Sequence, residues 1–336
     1  MVLITQNTKT KKSEKTSPKY RNRIMQFAPH SVVNHRSDNG KLETVCKHSS
    51  PECRKFCLYG TGYGIFENVK HPRMERTRYH HERPIEFKDQ FLTEASNHAR
   101  LASKASKTFA FRPNGFSDIL WENECPELFD LDIQVYDYTK YPYHERPTET
   151  LPSNYHLTYS RSEKTTRQMM QDNLRNGRNV AVVFRDKLPD FYAFLGKGYK
   201  GKDVAGNYAR SNVYWNVYSV IDGDVTDLRF NDHSPVIVGL KAKGNDIKKE
   251  SSKFVIDDNY NSFGDIKMHP NYDTFFGDFS FQENKKTGHV YKVASDGIAD
   301  PILMESATIC YDYNRIDSGM DGTGFLNSAL DHVMLG

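Results

Sequence analysis

Cys46-Lys47-His48-Ser49-Ser50-Pro51-Glu52-Cys53-Arg54-Lys55-Phe56-Cys57 holds three of the chain's five cysteines in one short, polar stretch. Core thiols are normally scattered through apolar runs, whereas this segment has turn chemistry and predicts a loop. A disulfide framework does not suit a 336-residue chain with five cysteines and no secretory leader. Three closely spaced thiols point instead to a metal or a cluster. Structural zinc takes four ligands, so Cys46, Cys53 and Cys57 need a fourth, for which His48, His71, His80 and His81 are candidates. An iron–sulfur cluster is held by thiolates, and a three-thiolate site leaves one iron open. Incidental thiols are the remaining reading.

On either side of the loop the chain alternates. Arg23–Phe27 predicts a first strand leading to the cysteines. Tyr59-Gly60-Thr61-Gly62-Tyr63-Gly64 follows them, and three glycines this close let the backbone turn sharply or approach a ligand. Residues 86–107 carry Phe87, Phe91, Leu92, Ala95, Ala99 and Ala102 on a helical period. Strands are predicted at 108–112, 133–137, 155–159, 179–184, 218–222 and 236–240, with a short helical stretch from 117 to 129. A further helix carries Met169, Met170 and Leu174, and Gly177 stops it.

Largely apolar strands alternating with helices imply a parallel sheet covered by helices. The expected fold is α/β, a partial (β/α) barrel over residues 21–244, with an aromatic, glycine-bearing insertion at 189–216. Residues 245–336 are expected to form a small mixed appendage, with a hairpin around Lys285-Lys286-Thr287-Gly288 and a terminal helix near 325–335. Residues 1–20 are lysine-rich and poor in apolar groups. They read as a disordered basic tail, able at most to touch nucleic acid weakly.

Composition narrows the function classes. Twenty Tyr and twenty Phe supply much of the burial in a chain that is 37% apolar with a mean hydropathy of −0.72. A net charge of +3 is too balanced for a nucleic-acid coat. No apolar run approaches a membrane span, and the first twenty residues lack a signal peptide's apolar stretch, which makes a reducing cytoplasm the expected compartment.

Ligands of parallel α/β folds sit at the carboxyl ends of the strands. There this chain places Arg112, Asn114, Ser117 and Asp118, then Asp137, Thr139 and Lys140, then Ser160 and Glu163. Asp222, Asp224, Asp227, Arg229 and Asp232 follow, with Lys241 and Lys243 after the last strand. Each has a structural alternative: Ser160-x-x-Glu163 reads as a capping box, Asp137 as an Asx turn, and Asp222-Gly223-Asp224 as a tight turn. Several such groups at successive strand ends nevertheless suggest one shared pocket. A carboxylate cluster could also bind Mg²⁺ or Ca²⁺, although this spacing misses the EF-hand pattern.

The cysteine loop, Phe111-Arg112-Pro113-Asn114-Gly115-Phe116-Ser117-Asp118, Tyr136–Lys140, Tyr155–Ser160 and Val220–Arg229 together resemble the phage gene product 88 family across roughly residues 24–244. The three-cysteine loop, with Phe56 before Cys57, is similar to that of radical S-adenosylmethionine proteins. Its gaps, C-x6-C and C-x3-C, are longer than the usual C-x3-C-x-aromatic-C. This resemblance implies a bacteriophage protein acting in the host cytoplasm, with Cys46, Cys53 and Cys57 holding a [4Fe–4S] cluster that binds S-adenosylmethionine. It implies that Asn114, Ser117 and Asp118 meet the methionine amino group, and that Ser160 and Glu163 lie where ribose contacts fall, with Asp137 and Asp222 around the same mouth. Three functions follow: a radical-SAM-like iron–sulfur enzyme of unknown substrate; a zinc-stabilised phage protein that binds host protein or nucleic acid; or a divalent-metal nuclease or phosphotransferase. The last would use Asp222, Asp224, Asp227 and Asp232, with Arg229 and Lys241 on phosphates.

Overall fold

The computed structural model describes residues 1–29, 44–189, 191–195, 213–244, 247–248 and 252–256, together with four strands between 279 and 311. The helices are α1 (Thr8–Thr16), α2 (Pro51–Lys55), α3 (Glu67–Glu82), α4 (Pro84–Lys104), α5 (Trp121–Glu124) and α6 (Arg167–Arg175). Strands β1 (Ile4–Thr5), β2 (Tyr20–Met25), β3 (Thr108–Arg112), β4 (Ile133–Thr139), β5 (Tyr155–Ser160) and β6 (Val180–Phe184) come first. They are followed by β7 (Phe191–Leu195), β8 (Val213–Asp222), β9 (Ile237–Lys241) and β10 (Val255–Ile256). The chain divides into two compact units, Met1–Leu188 with Ile221–Asp257, and Pro189–Val220 with Asp258–Gly336.

In the first unit β2, β3, β4, β5, β6 and β9 pair in that order, every neighbour parallel. β1 adds antiparallel to β2, and β10 adds parallel to β6. Strand order follows chain order, and among the described residues no pairing joins the first strand to the last, so the sheet is open. Side chains alternate between its two faces. Phe109, Phe111, Ile133, Val135 and Leu157 lie in the main core with Phe87, Phe91, Ala95 and Ala102 of α4 and with Trp121. The α4 stripe recurs every three or four residues, as the sequence predicts, and burying each large side chain contributes about 1.5–3 kcal/mol. On the opposite face Tyr20, Ala110 and Tyr136 pack against Leu228 and Phe230.

The N-terminal residues are not the expected disordered tail. Asn7 and Thr10 form a reciprocal capping box that starts α1. Lys9 pairs with buried Asp227 at 3.1 Å, and the Ser13 hydroxyl accepts from the Asp227 N–H at 2.8 Å. Composition alone missed these tertiary partners. A second helix, α3, was also not predicted, because residues 67–82 have no apolar stripe and contain Pro72. The crossovers are uneven: β4 reaches β5 through 3-10 turns alone. The capping box expected at Ser160 and Glu163 does not form either. Thr166 caps α6, accepting from the Met169 N–H. Gly177 does end that region, with a left-handed φ of 72°.

In the second unit β7 and residues 213–216 of β8 lie in antiparallel ladders, the latter also with β14 (Thr308–Tyr311). β11 (Phe279–Glu283), β12 (Val290–Ala294) and β13 (Ala299–Asp300) form an antiparallel sheet, which includes the predicted hairpin. The expected insertion and C-terminal appendage thus contribute to one compact unit, with boundaries at 189–220 and 258–336. The helix predicted near 325–335 lies outside the described residues.

Candidate functional site

The thiol loop is fastened at the carboxyl edge of the sheet. Ser50 caps α2, its hydroxyl accepting from the Cys53 N–H at 3.1 Å, and Pro51 occupies the first helical position, where no N–H is needed. Glu163, just beyond β5, accepts from the Ser50 hydroxyl at 2.5 Å and from the Glu52 N–H at 3.1 Å. Those bonds and Lys140 keep its carboxyl below the usual range against the opposing effect of burial. Glu52 in turn accepts from the Ser252 hydroxyl and the Phe254 N–H at 2.6 and 2.8 Å. Cys46 donates its thiol to the Phe116 carbonyl at 3.1 Å.

Cys57 packs with Tyr59, Ala28, Met74 and Phe116. Burial pushes its thiol up, while the Tyr59 N–H, Arg73 and Lys140 act in the opposite direction. Cys53 is close enough to add a repulsive charge. Arg73 comes from α3 and is 8% exposed, its guanidinium 4.6 Å from the Phe116 ring and 5.6 Å from the Tyr59 ring. One of its nitrogens donates to Gln26 at 3.3 Å. Its Nη1 and the hydroxyl of Tyr59, itself 6% exposed, are buried without a partner among the described residues. No described carboxylate pairs with Arg73; the potential anions acting on it are the Tyr59 phenol and the Cys57 thiol. Lys140 is half-buried and donates to the Ser160 carbonyl and hydroxyl, each at 3.0 Å, with Glu163 and Asp118 farther off.

The other strand-end residues do not share this site. Asn114 donates to the Ile119 carbonyl and to Asp137, and its oxygen accepts from Ser117, the Ile119 N–H and Trp121. Its amide is therefore fully engaged in the turn after β3. Asp137 shares the face of Ile133 and Val135 and accepts from Asn114 twice and from the Tyr155 hydroxyl, at 2.9–3.0 Å. Burial raises its carboxyl to about 7 despite those donors. Asp118 accepts from the Lys140 N–H, Thr139 and Arg146. Arg146, which the sequence did not single out, also forks onto Glu122 at 2.6 and 2.7 Å. Asn114, Ser117, Asp118 and Asp137 are thus a buried brace, whereas Ser160 and Glu163 position the thiol side.

The acidic set after β8 is dispersed among cations. Asp227 is held by Lys9 and Arg112, which override burial and keep its carboxyl well below the usual range. Asp224 pairs with Lys243 at 2.7 Å, and Asp232 with buried Arg229 at 3.2 Å. Asp222 is exposed and accepts from the Asp224 N–H, the turn expected there. Of the histidines considered as zinc ligands, His80 binds Glu124 at 2.9 Å and His48 lies 3.2 Å from Glu145.

Among the described residues no group of three His, Cys, Asp or Glu side chains is arranged to hold a metal ion. In donor chemistry the loop does suit a thiolate-bound group: three thiols, with an unpartnered guanidinium nitrogen of Arg73 beside one of them. Among the described residues no helix is long and apolar enough to cross a membrane.

A parallel sheet in chain order with a three-cysteine loop over its carboxyl edge defines the class: an α/β protein with a thiol-bearing loop at the carboxyl edge of its sheet. The chain belongs to the phage gene product 88 family, whose model matches residues 1–258. No curated protein and no solved structure matches it.

Proposed function

We propose that this phage protein is an iron–sulfur enzyme of the radical S-adenosylmethionine type, on a partial (β/α) barrel scaffold and acting in the host cytoplasm. Cys46, Cys53 and Cys57 would hold the cluster. The observation that carries this reading is Arg73, a buried cation beside Cys57 with no described carboxylate partner and one unpartnered nitrogen. A buried charge is costly unless it is paired, so the environment favours an anionic group at the thiols, as a thiolate-held cluster would provide.

When bound, such a cluster supplies the reductive cleavage of S-adenosylmethionine. The chain's own residues fasten the loop through Glu163 and Glu52, and the charges of Arg73 and Lys140 favour the thiolate of Cys57. Lys140 is oriented by Ser160, which gives that serine a positioning role rather than the ribose contact expected from the sequence. Asn114 and Asp137 keep the turn after β3 beneath the loop.

Protein purified without oxygen is expected to be brown, with iron and sulfide in near-equal amounts. Cys46→Ala, Cys53→Ala and Cys57→Ala should each remove the colour, while Cys125→Ala and Cys310→Ala keep it. Reductant and S-adenosylmethionine should then yield 5′-deoxyadenosine. Colourless protein carrying one zinc after iron–sulfide reconstitution would overturn the reading in favour of a zinc-stabilised binding protein.

A further inference from the structure

On the sheet face opposite Phe111 and Val135, side-chain alternation brings Tyr138 of β4 and His156 and Thr158 of β5 to one surface. Tyr138 and Thr158 are partners in register, and so are Tyr136 and His156. The 3-10 turn Arg229–Asn231, in the connection from β8 to β9, packs against both strands. Tyr138 also packs with Ala181 and Val238. A Cβ on Gly223 would lie 2.5 Å from a Val238 methyl and 3.1 Å from Arg229 Nη1, so the guanidinium reaches the same neighbourhood. Arg229 and Thr158 are fully buried, each 0% exposed.

The polar atoms gathered on this patch are largely unpaired. The Tyr138 and Thr158 hydroxyls, His156 Nε2, and Arg229 Nε and Nη1 are buried without a hydrogen-bond partner among the described residues. Arg229 Nη2 donates to the Thr226 carbonyl at 2.6 Å. Asp232 Oδ2 lies 3.2 Å from Arg229 Nη1, close enough to attract it but not aligned for a hydrogen bond. Nine in ten or more buried backbone polar groups, and most buried side-chain ones, are bonded in folded proteins. This many orphans on one patch therefore mark a place that something else completes.

The charge on the patch favours an anion. Asp227 is already held by Lys9 and Arg112, which leaves Asp232 as the carboxylate beside Arg229. Burial raises the Asp232 carboxyl to about 6, which lowers the cost of a second anion near it. At His156 the field is positive. Burial, Arg178 and Arg229 bring its pKa down to about 4, with no described carboxylate opposing them. Arg178 itself donates to neutral acceptors, the Arg146 carbonyl at 2.6 Å and the Thr148 hydroxyl at 3.1 Å. Hydroxyl and guanidinium donors in a positive field suit the oxygens of a small oxyanion. Buried water would satisfy the donors but leave the cationic excess in place.

We propose that Tyr138, His156, Thr158 and Arg229 form a binding site for a small oxyanion such as phosphate. The full burial of Thr158 and Arg229 restricts the ligand to a small ion. The proposal is independent of the iron–sulfur reading, since none of these residues belongs to the thiol loop.

The test is calorimetric titration of the full chain with sodium phosphate, against sodium chloride at matched ionic strength. Phosphate should bind saturably, with a Kd of about 1 mM or tighter, and chloride should not. Thr158→Val removes the hydroxyl at nearly constant shape and should weaken phosphate about tenfold, whereas Thr158→Ser should stay within roughly threefold of wild type. His156→Ala should also weaken it, by about fivefold. Arg229→Gln should cost roughly 100-fold. Should that variant fail to fold, the Thr158 and His156 variants decide. No saturation by phosphate up to about 20 mM would overturn the proposal. So would full affinity in both Thr158→Val and His156→Ala, which would leave the orphan atoms to buried water. Binding kept in Thr158→Val but lost in Arg73→Gln would move the anion to the thiol loop, and would equally overturn it.

Discussion

Two neighbouring parts of the sheet's carboxyl edge solve the problem of buried polarity in opposite ways. In the brace, Asn114, Asp118, Asp137, Glu122, Arg146 and Tyr155 satisfy one another, with a cation meeting two of the carboxylates. Around Cys57, the Arg73 guanidinium and the Tyr59 hydroxyl retain buried donors without described partners. A closed network stabilises and specifies the fold, whereas an open one leaves binding capacity for something else. The first region is architecture, and the second is where the proposed function places its chemistry.

The largest expected effect breaks the brace. Arg146→Ala leaves buried Asp118 and Glu122 without their guanidinium, which should cost about 3–5 kcal/mol by urea denaturation. A loss below about 1 kcal/mol would show that the brace is not what stabilises this edge. Next comes Gly115→Ala, whose new Cβ would lie 2.5 Å from the Met25 carbonyl oxygen, at an expected cost of about 1–3 kcal/mol.

The pH dependence of the brace follows from Asp137. Burial raises its folded carboxyl to about 7, while an unfolded aspartate releases its proton near 3.9. Between those values the folded state binds the extra proton, so this group's stabilising contribution falls as pH rises, by at most about 1.4 kcal/mol per pH unit. Asp137→Asn removes that slope, so wild-type stability should decline relative to the variant from about pH 4 to pH 7. Parallel profiles would assign the slope elsewhere.

The smallest effect on stability, and the one that sharpens the contrast, is at Arg73. Arg73→Gln removes an incompletely satisfied cation, so stability should change by no more than about 1 kcal/mol. In reduced, metal-free protein the same change should slow alkylation of Cys57 a fewfold near pH 8, because the thiolate loses a favourable charge. Mass-spectrometric rates at Cys57 matching wild type would mean that Arg73 does not act on the thiol.

Much of the sheet was legible in the sequence because parallel strands covered on both faces appear as short apolar runs, as at 108–112, 180–184 and 237–241. The stripe on α4 and the stop at Gly177 were legible for similarly local reasons. The three cysteines stood out by spacing. Arg73 did not, since it lies on a polar helix interrupted by Pro72 and its importance comes from what packs around it. Glu163 had the spacing of a capping box, yet it turns away from α6 to clasp the thiol loop. Local sequence specified what these residues could do, and long-range packing selected among the options.

Glu52 reaches Ser252 and Phe254 across sequence separations of 200 and 202 residues. During translation at about 5–20 residues per second, the loop waits roughly 10–40 s for those partners to be made. In that interval the three thiols belong to a segment whose last fastening cannot yet close. A donor of metal or sulfide that works on nascent chains would meet an accessible loop, while one that works only on finished protein would have to wait for Glu52 to let go. On the proposed function, the late clasp would time the loading of the loop through the order of synthesis.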